Sequence, residues 1–116
     1  MQKILTFVVC EKKILALYSK PHPKHGNGGW FVITGGVEED ESYEEAVTRE
    51  IMEETGLVTE DIFPLNWCSI YNWDKGVCEE HNFMSFVKSG EIILNEEHSK
   101  YKWLDINEFL GIIEWD

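Results

Sequence analysis

Three glutamates, Glu50, Glu53 and Glu54, sit at i, i+3 and i+4 near the end of a segment with helical patterning. On a helix of about 3.6 residues per turn, Tyr43, Ala46, Val47 and Ile51 share one arc and form the inward face. Glu50 and Glu54 fall inside that apolar arc and Glu53 at its margin, so carboxylates stand where core residues are expected. Like charges about 4 Å apart repel by roughly 4 kcal/mol at an effective dielectric of 20. Something positive belongs among them, and a group of carboxylates is the donor set that magnesium takes together with water and phosphate oxygens. Arg49, the only arginine in the chain, precedes Glu50 directly, with Glu53 one turn ahead and Glu41 back at the helix start. A guanidinium fork fixes two carboxylates in a way that lysine does not, so Arg49 reads as a clamp that orients the acids. With 22 acidic residues in the chain, the competing reading is a solvated acidic face; the arginine and the glycine turn ahead of the helix argue against it.

The helix has its own boundaries in the sequence. Ser42 with Glu45 three residues later is a capping-box pattern, and Gly56 is placed to close the helix in a left-handed cap. Gly35-Gly36 lies just upstream, where the lack of side chains lets backbone approach an ion or phosphate. The whole stretch from Gly35 to Leu57 resembles the Nudix box, G-x5-E-x7-R-E-U-x-E-E-x-G-U with U aliphatic, at every specified position: Gly35, Glu41, Arg49, Glu50, Ile51, Glu53, Glu54, Gly56 and Leu57. The resemblance implies a hydrolase that cuts a diphosphate linkage in a nucleoside diphosphate joined to another group, using magnesium or manganese. It assigns Glu50, Glu53 and Glu54 to the metal, adds the Gly35 backbone carbonyl as a ligand, and places Glu41, Arg49, Glu53 and Glu54 in the catalytic apparatus, one carboxylate orienting or deprotonating the attacking water. Which glutamate does so stays open. Two positions depart from the common pattern: Ile33-Thr34 stands where many members have Pro-Gly, and Asp40 where many have Gly.

A second stretch, Glu96 to Asp105, resembles the E-H-x-x-Y-K-W-L-D segment of Nudix enzymes acting on dATP or dihydroneopterin triphosphate, which implies a metal-binding role for Glu97. The alternative is a solvated acidic loop. His98 reads as a polar packing residue. The leading expectation is a pyrophosphohydrolase of a nucleoside triphosphate or a related nucleoside diphosphate derivative. A dinucleoside polyphosphate hydrolase and a non-catalytic nucleotide-binding regulator with the same fold are the alternatives. Lys20, Lys24 and His25, in the loop before the box, are candidates for meeting outer phosphates. Tyr18, Trp30, Trp67, Tyr71 and Trp73 are candidates for stacking on a base.

The remaining chain must position these residues. Residues 1–116 read as one domain with no repeat or linker. Ile4 to Cys10 and Ile14 to Ser19 read as neighbouring strands about a polar turn; the prolines and glycines from Lys20 to Gly29 make a loop; Trp30 to Ile33 is a third strand. After the helix, Ile62 to Trp73 and His81 to Val87 read as antiparallel partners about a turn at Asp74-Lys75-Gly76, followed by short strands at Glu91 to Leu94 and Tyr101 to Leu104. Asp105 and Glu108 form a capping box that opens a second helix, expected to run to Asp116. The order β β β α β β β β α suits an α/β/α sandwich with a central mixed sheet, the Nudix architecture.

A formal charge of −12 argues against nucleic acid or an anionic membrane as a bulk partner, while a small anionic nucleotide remains compatible once a dication bridges it to the protein. Three cysteines, Cys10, Cys68 and Cys78, are odd in number and form no C-x-x-C pair, which suggests a reducing compartment. The apolar run from Ile4 to Cys10 is too short for a membrane span and lacks a signal peptide's cleavage region, so a cytoplasmic location is expected. A homodimer is left open.

Overall fold

The computed structural model describes residues 1–21, 28–73, 76–96 and 98–114. Strand β1 (Gln2–Cys10) turns at Glu11-Lys12, both at positive φ, into β2 (Lys13–Ser19). The two pair only at the hairpin end, Val9 with Ile14 and Cys10 with Lys13. Beyond that they part, and the next segment fills the gap. β3 (Gly29–Phe31) pairs antiparallel with β2, and β4 (Ile33–Gly36) pairs antiparallel with β1. The single strand expected over Trp30 to Ile33 is therefore two, broken at Val32 where the chain changes partner.

Helix α1 (Tyr43–Thr55) follows, capped by Ser42 through a reciprocal capping box with Glu45 and closed by Gly56 at φ 76°. Strand β5 (Thr59–Trp73) and strand β6 (Gly76–Val87) form a long antiparallel ladder with register shifts between Thr59 and Asp61 and between Pro64 and Cys68. β6 also runs parallel to β1, which makes the sheet mixed. β7 (Lys100–Leu104) pairs antiparallel with the outer edge of β2. Helix α2 (Ile106–Ile112) starts on the Asp105–Glu108 capping box.

Side-chain alternation along the strands divides the interior in two. Ile4, Val8, Leu15, Leu17, Ile33 and Phe83 face α1, whose Ala46, Val47 and Ile51 are fully buried against them. On the other face Ala16 and Leu104 meet Phe109 and Ile113 of the second helical segment. A helix on each side of a mixed sheet is the α/β/α sandwich expected from the sequence.

Two elements differ from expectation. Residues 91–94 form no strand; the Ile93 amide donates to the Thr55 carbonyl at 2.9 Å, and Ile92 and Leu94 lean on the α1 core. A backbone hung on a helix end has no strand edge left to join. α2 stops at Ile112, because Ile113 adopts extended backbone and makes an isolated parallel bridge to Trp30. Asp74 and Lys75 of the expected turn, and Trp115 and Asp116, lie outside the described residues.

Phe109 is 1% exposed and is the largest buried side chain of the smaller core. Phe109→Ala is expected to cost about 3–5 kcal/mol, measured by urea denaturation; a loss below about 1 kcal/mol would show that α2 contributes little to the fold.

Candidate active site

The turn between β4 and α1 and the last turns of α1 converge on Arg49. Its Nε and Nη2 donate to the two oxygens of Glu41 at 2.8 and 3.0 Å, a bidentate pair. Nη1 donates to Glu50 Oε1 at 2.8 Å and to Glu53 Oε2 at 3.4 Å, and Nη2 also reaches the Gly36 carbonyl at 2.9 Å. One guanidinium thus ties the glycine turn, the first box acid and two helix acids together. Its hydrogen bonds hold the Glu41 carboxyl down to about 2, and the bond to Glu41 pushes the Arg49 pKa up in turn. The Glu38 amide donates to Glu41 at 2.9 Å, which closes the turn. Asp40, where glycine is common in the resembled pattern, stands at φ 65°. That left-handed conformation explains the usual glycine, and Asp is among the residues that tolerate it.

Glu50 lies against the glycine turn. A Cβ on Gly35 would overlap the Glu50 carboxylate and come within 2.7 Å of its Cγ, so only glycine leaves room for that acid. The Glu50 side chain is 14% exposed. Burial raises its pKa, Arg49 lowers it, and the neighbouring Glu54 raises it again, leaving it at about 7.

Glu54 is the deepest of the three acids, 3% exposed. With the ring proton on Nε2, His98 donates to Glu54 Oε1 at 2.8 Å while Nδ1 accepts from the Ser19 hydroxyl at 3.0 Å. The other carboxylate oxygen, Oε2, is buried without a hydrogen-bond partner among the described residues. An ionised oxygen so placed is costly unless a cation or a donor meets it. Glu53 differs: its side chain is 54% exposed and turned to Arg49. The three glutamates are accordingly not drawn into one tight ligand cluster. A hard dication still fits the donors present: an orphaned Glu54 oxygen, a Glu50 carboxyl beside it whose raised pKa a nearby cation would lower, and backbone at Gly35 with no side chain in the way.

Glu54 and His98 line a cleft of about 920 Å³ together with Thr34, Trp67, Tyr71 and Asn82, within the range of small-molecule sites. Of the aromatic candidates, Trp67 and Tyr71 face this cleft. Tyr18 and Trp30 instead pack on each other at 5.3 Å, with the Lys100 and Lys102 ammonium groups over their rings. Trp73's side chain, Lys24, His25 and Glu97 lie outside the described residues. Lys20 is exposed and does not line the cleft. His98, a packing residue on the sequence reading, is indeed largely buried, but what it packs on is Glu54. Its place beside Glu97 in the E-H-x-x-Y segment is the signal that points to the site.

The family model described as the NUDIX domain matches residues 3–116. The NAD-capped RNA hydrolase NudC of Mannheimia succiniciproducens is 33% identical over 97 residues, covering 82% of this chain and 35% of that protein. The NudC of Vibrio cholerae is 42% identical over 55 residues, covering 47% of this chain and 20% of that protein. The chain thus spans about a third or less of the length of these curated relatives. Among solved structures, the MutT protein of Methanosarcina mazei superposes with a TM-score of 0.73 at 26% identity, covering 97% of this chain and 81% of that one. The dihydroneopterin triphosphate pyrophosphohydrolase of Escherichia coli superposes at 0.74 with 22% identity, covering 98% and 86%. A match of the family model over nearly the whole length, on a sandwich in which the box acids Glu41, Glu50 and Glu53 are gathered round one arginine, places this chain in the NUDIX domain family.

Proposed function

We propose that the chain is a divalent-metal-dependent pyrophosphohydrolase that cleaves a diphosphate linkage in a nucleoside triphosphate or a related nucleoside diphosphate derivative. The observation that carries this reading is the unpartnered, buried Glu54 oxygen next to Glu50, at the wall of a cleft of nucleotide size. Glu50, Glu54 and the Gly35 carbonyl would hold magnesium or manganese, with Glu53 and Glu97 as the further ligands that the box and the E-H-x-x-Y segment suggest. When bound, the ion offsets the negative charge of the diphosphate and makes a water nucleophilic near neutral pH. Arg49 keeps Glu41, Glu50 and Glu53 in fixed relation, so that little reorganisation is left for the reaction step. His98 holds Glu54 by one oxygen and leaves the other without a partner among the described residues. One of Glu53 and Glu54 takes the proton of the attacking water. Trp67 and Tyr71 offer faces for the base, and Asn82 a polar edge for orienting it.

The similarity to NudC proteins, named as NAD-capped RNA hydrolases, favours a nucleoside diphosphate joined to a second group within this class. The NUDIX domain of Shewanella oneidensis NrtR, solved with ADP ribose, superposes at a TM-score of 0.75 with 21% identity, a likeness of fold; nucleotide binding without turnover is the second reading. Turnover of a nucleotide panel with mass-resolved products separates the two.

Glu54→Gln is expected to lower kcat by at least about a hundredfold while leaving the urea midpoint within experimental scatter or higher; unchanged turnover would remove Glu54 from the mechanism. Arg49→Lys keeps the charge but loses the fork, so kcat should fall at least about tenfold with magnesium saturating; a wild-type rate would make the clamp dispensable. The raised Glu50 pKa also sets a pH signature. Between the ordinary value of 4.5 and about 7 the folded protein holds a proton that the unfolded chain has released, so metal-free stability falls as pH rises through that window. The Tm difference between Glu50→Gln and wild type should therefore widen in favour of the variant from pH 4.5 to 7, and saturating magnesium should remove the wild-type loss. Parallel Tm profiles for the two proteins would contradict this.

A further inference from the structure

Away from the box glutamates, three side chains of different chemistry meet on the β5–β6 ladder. Cys68 and His81 are directly opposed across the two strands, and Glu79 lies two residues from His81 on the same face of β6. His81 Nε2 is 2.9 Å from Glu79 Oε1 and 3.9 Å from Cys68 Sγ, and one ligand atom from each residue lies within 4.8 Å of the others. In a tetrahedral zinc site, bond lengths of about 2.0–2.3 Å put neighbouring nitrogen and sulfur ligands about 3.6 Å apart and nitrogen and oxygen about 3.3 Å apart. The two separations from His81 need adjustments of only a few tenths of an ångström, and the third, from Cys68 to Glu79, lies within 4.8 Å.

The surroundings hold this geometry. Tyr43, the first residue of α1, stacks on the His81 ring at 4.2 Å between centroids. The Tyr43 hydroxyl donates to Gln2 Oε1 at 2.6 Å, and Gln2 Nε2 reaches the second Glu79 oxygen at 3.3 Å. Such outer contacts are what fix ring and carboxylate orientation in a metal centre. Strand alternation sends Glu80 and Asn82 to the cleft instead. The register shift between Pro64 and Cys68 decides which β5 residue faces His81.

The geometry points to a zinc-class site made of Cys68, Glu79 and His81, with a fourth position open to solvent. It is separate in donor chemistry from the oxygen-only glutamate site, because a thiolate and an imidazole suit a borderline-soft cation and not magnesium. Zn²⁺ on one thiolate, one carboxylate and a neutral imidazole leaves no net charge. Binding sends the Cys68 thiol proton to solvent, and the His81 ring keeps its one proton on Nδ1 so that Nε2 is free for the ion. The bound ion would link the β5–β6 ladder to the start of α1 through the Tyr43 stack.

Metal-free protein titrated with cobalt(II), a spectroscopic stand-in for zinc, should give a thiolate-to-cobalt charge-transfer band and the strong visible bands of a four-coordinate site, saturating at one equivalent. Cys68→Ser should abolish the charge-transfer band, and His81→Ala should weaken zinc affinity at least about tenfold. A protein carrying both Glu50→Gln and Glu54→Gln should retain the band. Cys68 is exposed, so its variant is expected to keep the wild-type circular dichroism. Absence of a thiolate band in the wild type, its persistence in Cys68→Ser, or its loss in the Glu50/Glu54 variant would each overturn the assignment.

Discussion

The structure depends on how one guanidinium distributes its donors among acids that would otherwise repel. Arg49 directs two to Glu41, one edge to Glu50 and Glu53, and one to the Gly36 carbonyl. The result is that a turn, a helix N-terminal approach and a helix C-terminal half share a single rigid junction. Without it, Glu41, Glu50 and Glu53 would stand near one another with no cation among them, at a cost that grows as the local dielectric falls. The arginine does not neutralise everything. Its reach ends at Glu50, and Glu54 is held by His98 through one oxygen only. That residual imbalance is where the proposed dication would sit.

The sheet explains why this junction sits at a cleft. β1 and β2 separate after two residue pairs, and the chain crosses from β2 to β1 at Val32. This splay lets β4 deliver Gly35 and Gly36 to the α1 acids while β2 carries Ser19 to His98. A continuous β1–β2 ladder would have closed the same space with backbone.

Local signals are legible in the chain itself: both capping boxes, the Gly56 cap and the placing of Glu50 and Glu54 inside the apolar arc with Glu53 at its margin follow from spacing within one turn or two, and the structure bears them out. The neighbouring β1 and β2 strands follow from two apolar runs about a polar turn, and the α/β/α arrangement from the order of elements together with the Nudix resemblance. What spacing does not reveal depends on partners far apart in sequence. The partner switch at Val32 requires knowing that two strands compete for one segment. Residues 91–94 carry strand-like composition but are recruited by Thr55, 38 residues earlier. His98 meets Glu54 across 44 residues, and no periodicity reports such a meeting. Cys68, Glu79 and His81 converge only through a ladder register that an irregularity resets.

The central claim is that the Glu50 and Glu54 carboxylates are arranged to share a divalent cation beside Gly35. Anomalous scattering from a crystal soaked in manganese tests it most directly. The account predicts a peak within bonding distance of the Glu54 oxygen that lacks a partner, with Glu50 turned toward it and the Arg49–Glu41 pair unchanged. A soaked crystal with no peak there, and with Glu54 Oε2 hydrogen-bonded to water or protein instead, would contradict it.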